Sequence, residues 1–357
     1  MPQTALPIWE IASGIVDAFS QGNRLVLAAP TGSGKTTQVP QMLLDAGLAG
    51  TKRIVVLQPR RVAARTVAAR VAWERNGKLG DEVGYQIRFD DQTSLGTRIC
   101  FVTEGILLRW LQTDRTLSDT GVVLFDEFHE RNLLSDVALA LAKKLQATLR
   151  PDLKLAVMSA TLDIESVARY LGDCAVIVSQ GRSFPVEVSY LQQRDDRQIS
   201  EVAADQVEQI VGAGEEGDIL VFMPGRGEIG ATINALRAAS LGERIALIPL
   251  HGELPPEDQD MAFAPNSLRK VVVATNVAET SVTIDGVRHV VDCGLARVAR
   301  YDADHGINTL FIEEISRASA EQRRGRAGRT AMSICLTVLR LPTMARAISR
   351  AWVSFSA

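Results

Sequence analysis

The sequence predicts two α/β domains in tandem, each built on a doubly wound parallel sheet. Its 357 residues exceed one ordinary domain and fit two of about 150 to 200 residues each. Short apolar runs without polar alternation follow one another between amphipathic helical stretches, which is typical of strands buried on both faces of a parallel sheet. The pattern is broken by glycine, serine and proline between 179 and 186, so we expect the two domains to join there.

The expected strands follow in order along both halves. In the first half they are RLVLAA at 24–29, RIVVLQ at 53–58, RICFVT at 98–103, GVVLFD at 121–126 and LKLAVMSAT at 153–161. In the second half they are GDILVFMPG at 217–225, RIALIPLHG at 244–252, RKVVVATN at 269–276 and VRHVVDCG at 287–294. We expect domains at 1–180 and 181–338 and an atypical tail at 339–357.

A β-hairpin is expected at 296–315, because two β-like runs flank a turn at 302–306. It would project from the second domain. After it, residues 331–357 contain no aspartate or glutamate, and this shift in composition makes the tail suspect as a folded element.

Charge and cysteine content restrict the partners and the compartment. The formal net charge is −3, so no global positive field attracts nucleic acid or a membrane, and any polyanion must be bound locally. The four cysteines lie far apart without paired spacing, which argues against a zinc site or a disulfide framework and suits a reducing cytoplasm. No basic segment precedes an apolar one at the N-terminus, and no apolar run approaches eighteen residues, so we expect neither secretion nor a membrane span.

The segment APTGSGKT at 29–36 is a phosphate loop between a strand and a helix that starts near Lys35. Gly32 and Gly34 allow backbone N–H groups to face one point, where the helix dipole favours anions. Lys35 adds a mobile charge and Thr36 offers a hydroxyl to Mg²⁺, so a nucleoside triphosphate is the expected ligand. The loop alone does not separate a helicase from a kinase or a transporter ATPase.

An acidic pair ends the strand at 121–126. The Asp126 carboxylate is expected beside the phosphate loop, where it can hold Mg²⁺ through water, and Glu127 is the candidate base that orients the attacking water. His129 has no metal partner at a useful spacing, and we expect it to make a hydrogen bond between the domains.

The third motif, QRRGRAGR at 322–329, places arginines three apart, on one face if the segment is helical. Guanidinium groups suit the spread negative charge of a phosphoryl group in transfer. A solvated basic patch or a nucleic-acid-binding face are the alternatives.

Together these motifs make the chain resemble superfamily 2 DEAH-box helicases, and within them the bacterial HrpB-type ATP-dependent helicases. The resemblance extends from about residue 8 to 338. The segments that match the family in order, besides the phosphate loop and the arginine motif, are QPRRVAAR at 58–65, VTEGILLR at 102–109, DEFHERN at 126–132, MSATLD at 158–163, GRSFPVE at 181–187, FMPGRGEI at 222–229 and TNVAETSVTIDG at 275–286.

The resemblance implies two RecA-like domains with ATP in the cleft between them. Phosphate, metal and water would be served from the first domain by Lys35, Thr36, Asp126 and Glu127. Gln322, Arg326 and Arg329 would complete the site from the second, with the arginines as fingers. The adenine would lie between Arg70 and Phe263, which makes the choice of base lax.

The family also implies coupling and nucleic-acid-binding residues. Ser159 and Thr161 fall on the motif that couples hydrolysis to domain movement, and we add His129 to this group. Segments that hold nucleic acid contain Arg60, Arg61, Thr103, Glu104, Arg109, Thr275 and Asn276. Such side chains suit phosphate and sugar contacts that do not read sequence, although several of these arginines could equally lie on solvated helix faces.

The implied activity is an ATP-dependent helicase that moves 3′ to 5′ along a nucleic-acid strand, usually RNA, with the hairpin separating or guiding strands. Family members continue into accessory domains that close a channel around the strand, whereas this chain stops 28 residues past Arg329 and its tail resembles that of a truncated product. The alternative is an ATP-switched RNA-binding module, or a fragment that hydrolyses ATP without unwinding.

Overall fold

The chain folds into two compact units, Met1–Arg182 and Ser183–Ala357. The computed structural model describes residues 6–160, 164–172, 174–180, 186–191, 195–239, 241, 244–279, 284–302, 306–327 and 333–337. The predicted tail at 339–357 and most of the predicted junction at 179–186 lie outside the described residues. The limits 1–180 and 181–338 therefore stay predictions of domain extent.

The first unit alternates strands and helices along the chain. Its strands are β1 (Arg24–Ala28), β2 (Arg53–Leu57), β3 (Val83–Ile87), β4 (Asp90–Gln92), β5 (Ile99–Val102), β6 (Thr120–Phe125), β7 (Lys154–Ser159) and β8 (Ala175–Val178). Its helices are α1 (Ala12–Gln21), α2 (Lys35–Asp45), α3 (Arg61–Glu74), α4 (Glu104–Thr113), α5 (Leu133–Thr148) and α6 (Ile164–Leu171). Every strand predicted from an apolar run in this half is present.

These strands form one sheet in the order β4-β3-β5-β2-β6-β7-β1-β8. All neighbours run parallel except β3 and β4. Leu25 and Leu27 pack into the core on one face, whereas Val26 packs into the core on the other. Burial of both faces explains why the strands read as continuous apolar runs. Because β1, β7 and β6 are parallel neighbours, the loops after β1 and β6 emerge at the same edge.

The second unit repeats this plan with a smaller sheet. Its strands are β9 (Val186–Tyr190), β10 (Asp218–Phe222), β11 (Ile245–Leu250), β12 (Arg269–Ala274), β13 (Val287–Asp292) and β16 (Ser333–Thr337), in the order β11-β12-β10-β13-β16-β9 and all parallel. Its helices are α7 (Ile199–Gly212), α8 (Arg226–Ala238), α9 (Pro256–Asp260) and α10 (Arg317–Arg324). Apolar cores lie on both faces of this sheet. The predicted fold class, two α/β domains in tandem, is confirmed.

A separate antiparallel hairpin follows β13. It consists of β14 (Leu295–Asp302) and β15 (Ile307–Glu314), with Val298 opposite Phe311. Leu310 and Phe311, on opposite faces, are 60% and 45% exposed, so neither face of the hairpin's outer part is covered by the described residues. Its orientation therefore depends on contacts at its base.

Within the described residues, no helix has both the length and the apolar character needed to cross a membrane.

Candidate nucleotide and nucleic-acid sites

The phosphate loop begins where β1 ends and α2 begins. Its start is fixed to the neighbouring strand by a hydrogen bond from Ala29 N to Ser159 O of 2.9 Å. Gly32 and Gly34 have φ angles of 81° and 93°, in the left-handed region that glycine adopts without strain. The loop thus leads directly into the N-terminus of α2, where free N–H groups and the helix dipole favour a bound anion.

Lys35 points inward and meets the acidic pair. Its Nζ lies 3.4 Å from Glu127 Oε1, and both side chains are only 3% exposed. Glu127 has a φ of 49°, an uncommon left-handed value for a residue with a side chain. Such backbone strain is frequent at functional sites, where the surrounding structure enforces it.

Asp126 accepts three hydrogen bonds at the same edge of the sheet. Its Oδ2 accepts from Thr36 Oγ1 at 2.6 Å and from Gln58 Nε2 at 2.7 Å, and its Oδ1 accepts from Glu127 N at 2.9 Å. Burial, and secondly the negative charge of Glu127, raises the pKa of Asp126 to about 6, although Lys35 opposes the shift. A buried carboxylate of this kind is stabilised in its charged form by an added cation.

These donors fit Mg²⁺. The Thr36 hydroxyl and the Asp126 carboxylate are hard oxygen ligands 2.6 Å apart. Magnesium usually takes only one or two protein ligands and completes its shell with water and substrate phosphates. The described residues contain no cluster of three or more histidine, cysteine or acidic ligands.

Gln58 is a site residue that the sequence analysis missed. It follows β2, the neighbour of β6, and is fully buried against Asp126. The available signal was its position directly after an apolar run, since polar residues there lie at the same sheet edge as the acidic pair.

His129 links the acidic motif to the segment after β7. Its Nδ1 accepts from Ala160 N at 3.3 Å, and its Nε2 lies 3.2 Å from Glu127 Oε2. Both of these partners belong to the first domain, and the expected bond from His129 to the second domain stays a prediction. Ser159 is fully buried at the end of β7, and Thr161 lies outside the described residues.

Several predicted nucleic-acid residues lie at the same edge of the first sheet. Arg60 precedes α3, with Nη2 3.2 Å from Glu130 Oε2, and Arg61 is exposed at the first position of that helix. Thr103 precedes α4, and Arg109 is exposed on it. The exposed side chains of Arg61 and Arg109 can reach a polyanion. The same exposure is expected of arginines on a solvated helix face, which was the alternative.

Glu104 differs from these residues because it is buried. It is 5% exposed, and its Oε1 accepts from Asn132 Nδ2 at 3.1 Å and from Ser135 Oγ at 2.8 Å. A buried, hydrogen-bonded carboxylate also repels phosphate. Glu104 therefore supports the α5 N-terminus, where Asn132 is the cap, and its contact with nucleic acid stays a prediction that this burial disfavours.

In the second domain the arginine motif begins in α10. Gln322 is 7% exposed and Arg326 is 4% exposed, with Arg326 Nε donating to Glu279 O at 2.9 Å. The helix ends at Arg324, so the expected single helical face does not extend to Arg326. Arg329 lies outside the described residues.

The remaining predicted residues are two nucleic-acid residues of the second domain and one base-stacking residue on each domain. Thr275 caps a short 3-10 turn that starts at Asn276, and both are partly exposed. Arg70 is exposed on α3, with Nε 2.7 Å from Glu74 Oε1 and its guanidinium 4.9 Å from the centre of the Trp73 ring. Phe263 is partly buried against the second domain's core.

Comparison with known proteins accounts for nearly all of the chain. The DEAD/DEAH box helicase family matches residues 9–170, and the helicase conserved C-terminal domain matches residues 202–331. The chain is 44% identical to the ATP-dependent RNA helicase HrpB of Escherichia coli (strain K12), over 94% of this chain and 41% of that protein. It is 41% identical to the ATP-dependent RNA helicase HrpA homolog of Haemophilus influenzae, over 93% of this chain and 26% of that protein.

A solved structure gives the same result. The crystal structure of Escherichia coli DEAH/RHA helicase HrpB matches with a TM-score of 0.88 and 43% identity, over 96% of this chain and 44% of that chain. The chain thus spans less than half the length of these relatives.

Proposed function

Because the chain belongs to the DEAD/DEAH box helicase family, we propose that it is an ATP-dependent RNA helicase that couples ATP hydrolysis to movement along a strand and to unwinding. The observation that carries this proposal is the grouping of Lys35, Thr36, Asp126 and Glu127 at one sheet edge. A phosphate-binding lysine, a pair of hard oxygen ligands and a candidate base are the parts that NTP hydrolysis requires.

In this proposal the first domain binds the triphosphate. The N–H groups of the phosphate loop hold the phosphates, and Lys35 exchanges Glu127 for a phosphate oxygen. Glu127, released from Lys35, orients the attacking water. Thr36 and Asp126 would hold Mg²⁺, which would neutralise negative charge on the phosphate oxygens.

The second domain acts on the same nucleotide. Gln322, Arg326 and Arg329 stabilise the charge that develops on the transferred phosphoryl group, because guanidinium groups match its spread charge. Arg70 and Phe263 stack on the base. His129, Ser159 and Thr161 couple hydrolysis to movement.

RNA is proposed as the substrate, single-stranded or partly duplex, with movement from 3′ to 5′. The strand is held by Arg60, Arg61 and Arg109 with Thr103, and in the second domain by Thr275 and Asn276. Contacts of this type hold the backbone without reading sequence, and nothing among them selects the 2′-hydroxyl. We place the activity in the cytoplasm.

The test is the ATPase rate with and without single-stranded RNA. Wild type should hydrolyse ATP and respond to RNA, whereas Lys35→Ala and Glu127→Gln should lose at least about a hundredfold in rate. Lys52→Ala is the matched control, because Lys52 is only partly buried and its Nζ lies 3.2 Å from Asp152 Oδ2, away from the phosphate loop. Equal rates in wild type, Lys35→Ala and Glu127→Gln would end the enzyme proposal.

Strand displacement separates the helicase from its alternative. A duplex with a 3′ overhang should be unwound, and one with a 5′ overhang should not. Hydrolysis without displacement of either duplex would support an ATP-switched RNA-binding module.

A further inference from the structure

Arg323 is fully buried in the second domain and is paired with two carboxylates. Its Nε lies 3.0 Å from Glu279 Oε2 and its Nη1 lies 2.7 Å from Asp292 Oδ1. The guanidinium also lies 4.7 Å from the centre of the Phe222 ring. Removing a guanidinium from water is costly, and an apolar side chain fills a core at lower cost. The presence of an arginine at this position is therefore explained by the segments that its side chain connects.

One carboxylate belongs to the segment that follows β12. Glu279 is 7% exposed and lies in the segment 275–279, which contains the predicted nucleic-acid residues Thr275 and Asn276. Its backbone O accepts from Arg326 Nε at 2.9 Å, and its Oε1 accepts from Ser319 of α10. Glu279 therefore connects the segment that carries Thr275 to two arginines of the motif, directly to the proposed finger Arg326 through its backbone and to Arg323 through its carboxylate.

The other carboxylate belongs to the base of the hairpin. Asp292 ends β13, and its Oδ1 also accepts from Gly294 N at 2.8 Å. Arg323 Nη1 donates to Leu295 O, the first residue of β14, at 3.3 Å. The two hairpin strands are closed there by a bond from Ile315 N to Gly294 O of 3.0 Å. One guanidinium thus touches both the base of the hairpin and Glu279.

The Arg323 site is also incompletely satisfied. Its Nη2 is buried and has no hydrogen-bond acceptor in the part of the chain that the structure describes. A buried donor without an acceptor costs free energy, so the contacts of Arg323 with Glu279 and Asp292 must offset that cost.

We propose that Arg323 is a positioning residue that joins the arginine motif, the segment 275–279 and the base of the hairpin. Through Arg323, the orientation of the hairpin changes with the nucleotide bound at the arginine motif and with the strand bound at the segment 275–279. This rests on the helicase function proposed for the chain. Arg323 contacts no substrate in this role. The outer part of the hairpin is uncovered, so a shift at its base reorients its whole length.

The first test is amide hydrogen exchange in the full chain. Asp292→Asn and Glu279→Gln keep an acceptor oxygen but remove the charge on one side of Arg323. Glu279→Gln should speed exchange in the hairpin at 295–314 by at least about threefold, and Asp292→Asn should do the same at 275–279, since coupling is reciprocal. Arg324→Met is the matched control, because Arg324 is exposed and pairs only locally with Glu321.

The outcomes decide the proposal. Faster exchange confined to the substituted segment overturns it, and so does a uniform increase that includes the central strands β10 and β12, since that is the behaviour of an ordinary core ion pair. Arg323→Met should speed exchange both in the hairpin and at 275–279. Where that variant does not fold, Arg323→Lys replaces it and should give part of the same effect.

The second test is the ATPase rate. Asp292→Asn, Glu279→Gln and Arg323→Lys should each lower the RNA-stimulated kcat about tenfold and leave KM for ATP within about twofold, as expected when coupling is lost and binding is kept. Equal losses of kcat with and without RNA would overturn the proposal. An RNA-insensitive wild type would refute the helicase function, while the reciprocity of exchange still decides the role of Arg323.

Discussion

Replacing Gly34 by alanine should weaken ATP binding by one to two orders of magnitude. Gly34 has a φ of 93°, and a Cβ built there would lie 2.9 Å from Leu6 Cδ1, 3.2 Å from Ile8 Cγ2 and 3.3 Å from Gln38 Cγ. The left-handed backbone costs alanine about 1–2 kcal/mol. Crowding at a packed position adds about 1–3 kcal/mol.

This strain is expressed mainly in the bound state. In the free protein the loop around Gly34 can relax away from Leu6 and Ile8. Bound phosphate requires the N–H groups of the loop to converge, so that relaxation is lost. If about 1.4–2.8 kcal/mol of the strain returns on binding, the dissociation constant for ATP rises about tenfold to a hundredfold.

The assay is titration of wild type and variants with magnesium and a non-hydrolysable ATP analogue. Gly47→Ala is the matched control, because Gly47 has a φ of 69° and no atom within 4 Å of the built Cβ. It should lose about 1 kcal/mol of unfolding free energy and keep its affinity. The reasoning is refuted if Gly34→Ala binds the analogue as tightly as wild type, or if Gly47→Ala loses as much affinity.

Three further outcomes follow from the geometry of the first domain. Thr36→Val should raise the Mg²⁺ concentration needed for half-maximal ATPase about tenfold or more, because hydrogen bonds to a charged group contribute about 1.5–3 kcal/mol. Thr37→Val should change that concentration less than about twofold, because the Thr37 hydroxyl donates to the uncharged backbone carbonyl of Gly34 at 3.3 Å. Arg150→Met should lower the melting temperature of the domain by roughly 6–12 °C in calorimetry, because it orphans three backbone carbonyls near the start of β6 that the arginine binds at 2.7–2.8 Å. Burial raises the pKa of Cys100 to about 12, so at pH 8 a thiol reagent should label the half-buried Cys174 first and Cys100 only on unfolding, as read by mass spectrometry.

The central strands of the first sheet were predictable from the sequence and its edge strands were not, whereas in the second sheet the edge strand β11 was predicted as well. Runs such as 24–29 and 269–276 are apolar because strands buried on both faces have no polar side, and they became β1 and β12. The sequence analysis listed no strand at β3, β4, β8, β9 or β16, and β16 lies in the stretch from residue 331 whose composition made it suspect as a folded element. In β8, residues alternate between half-buried and exposed, so the short run AVIV carries no signal that separates it from a loop.

The site divides in the same way. The phosphate loop and Asp126 were predictable because their geometry follows from local chain direction and from the edge at which parallel strands end. Gln58 and Arg323 were not, because what defines them is a partner 68 or 44 residues away. Burial of a charged side chain leaves no local trace in a sequence, and an arginine in a basic motif looks the same whether it is exposed or enclosed.

In the proposed mechanism, the contact between Lys35 and Glu127 links nucleotide binding to hydrolysis. Both side chains are 3% exposed, and breaking a buried pair by removing one partner is strongly destabilising because the other charge is left uncompensated. Lys35 can therefore leave Glu127 only when another anion takes its place, and a triphosphate is such an anion. Glu127 then becomes available to water at the moment when the phosphate is present. Glu127 Oε2 also lies 3.2 Å from His129 Nε2, and His129 Nδ1 accepts from Ala160 N. A movement of Glu127 therefore also changes the contacts of Ala160 at the end of β7, where the proposed coupling segment begins.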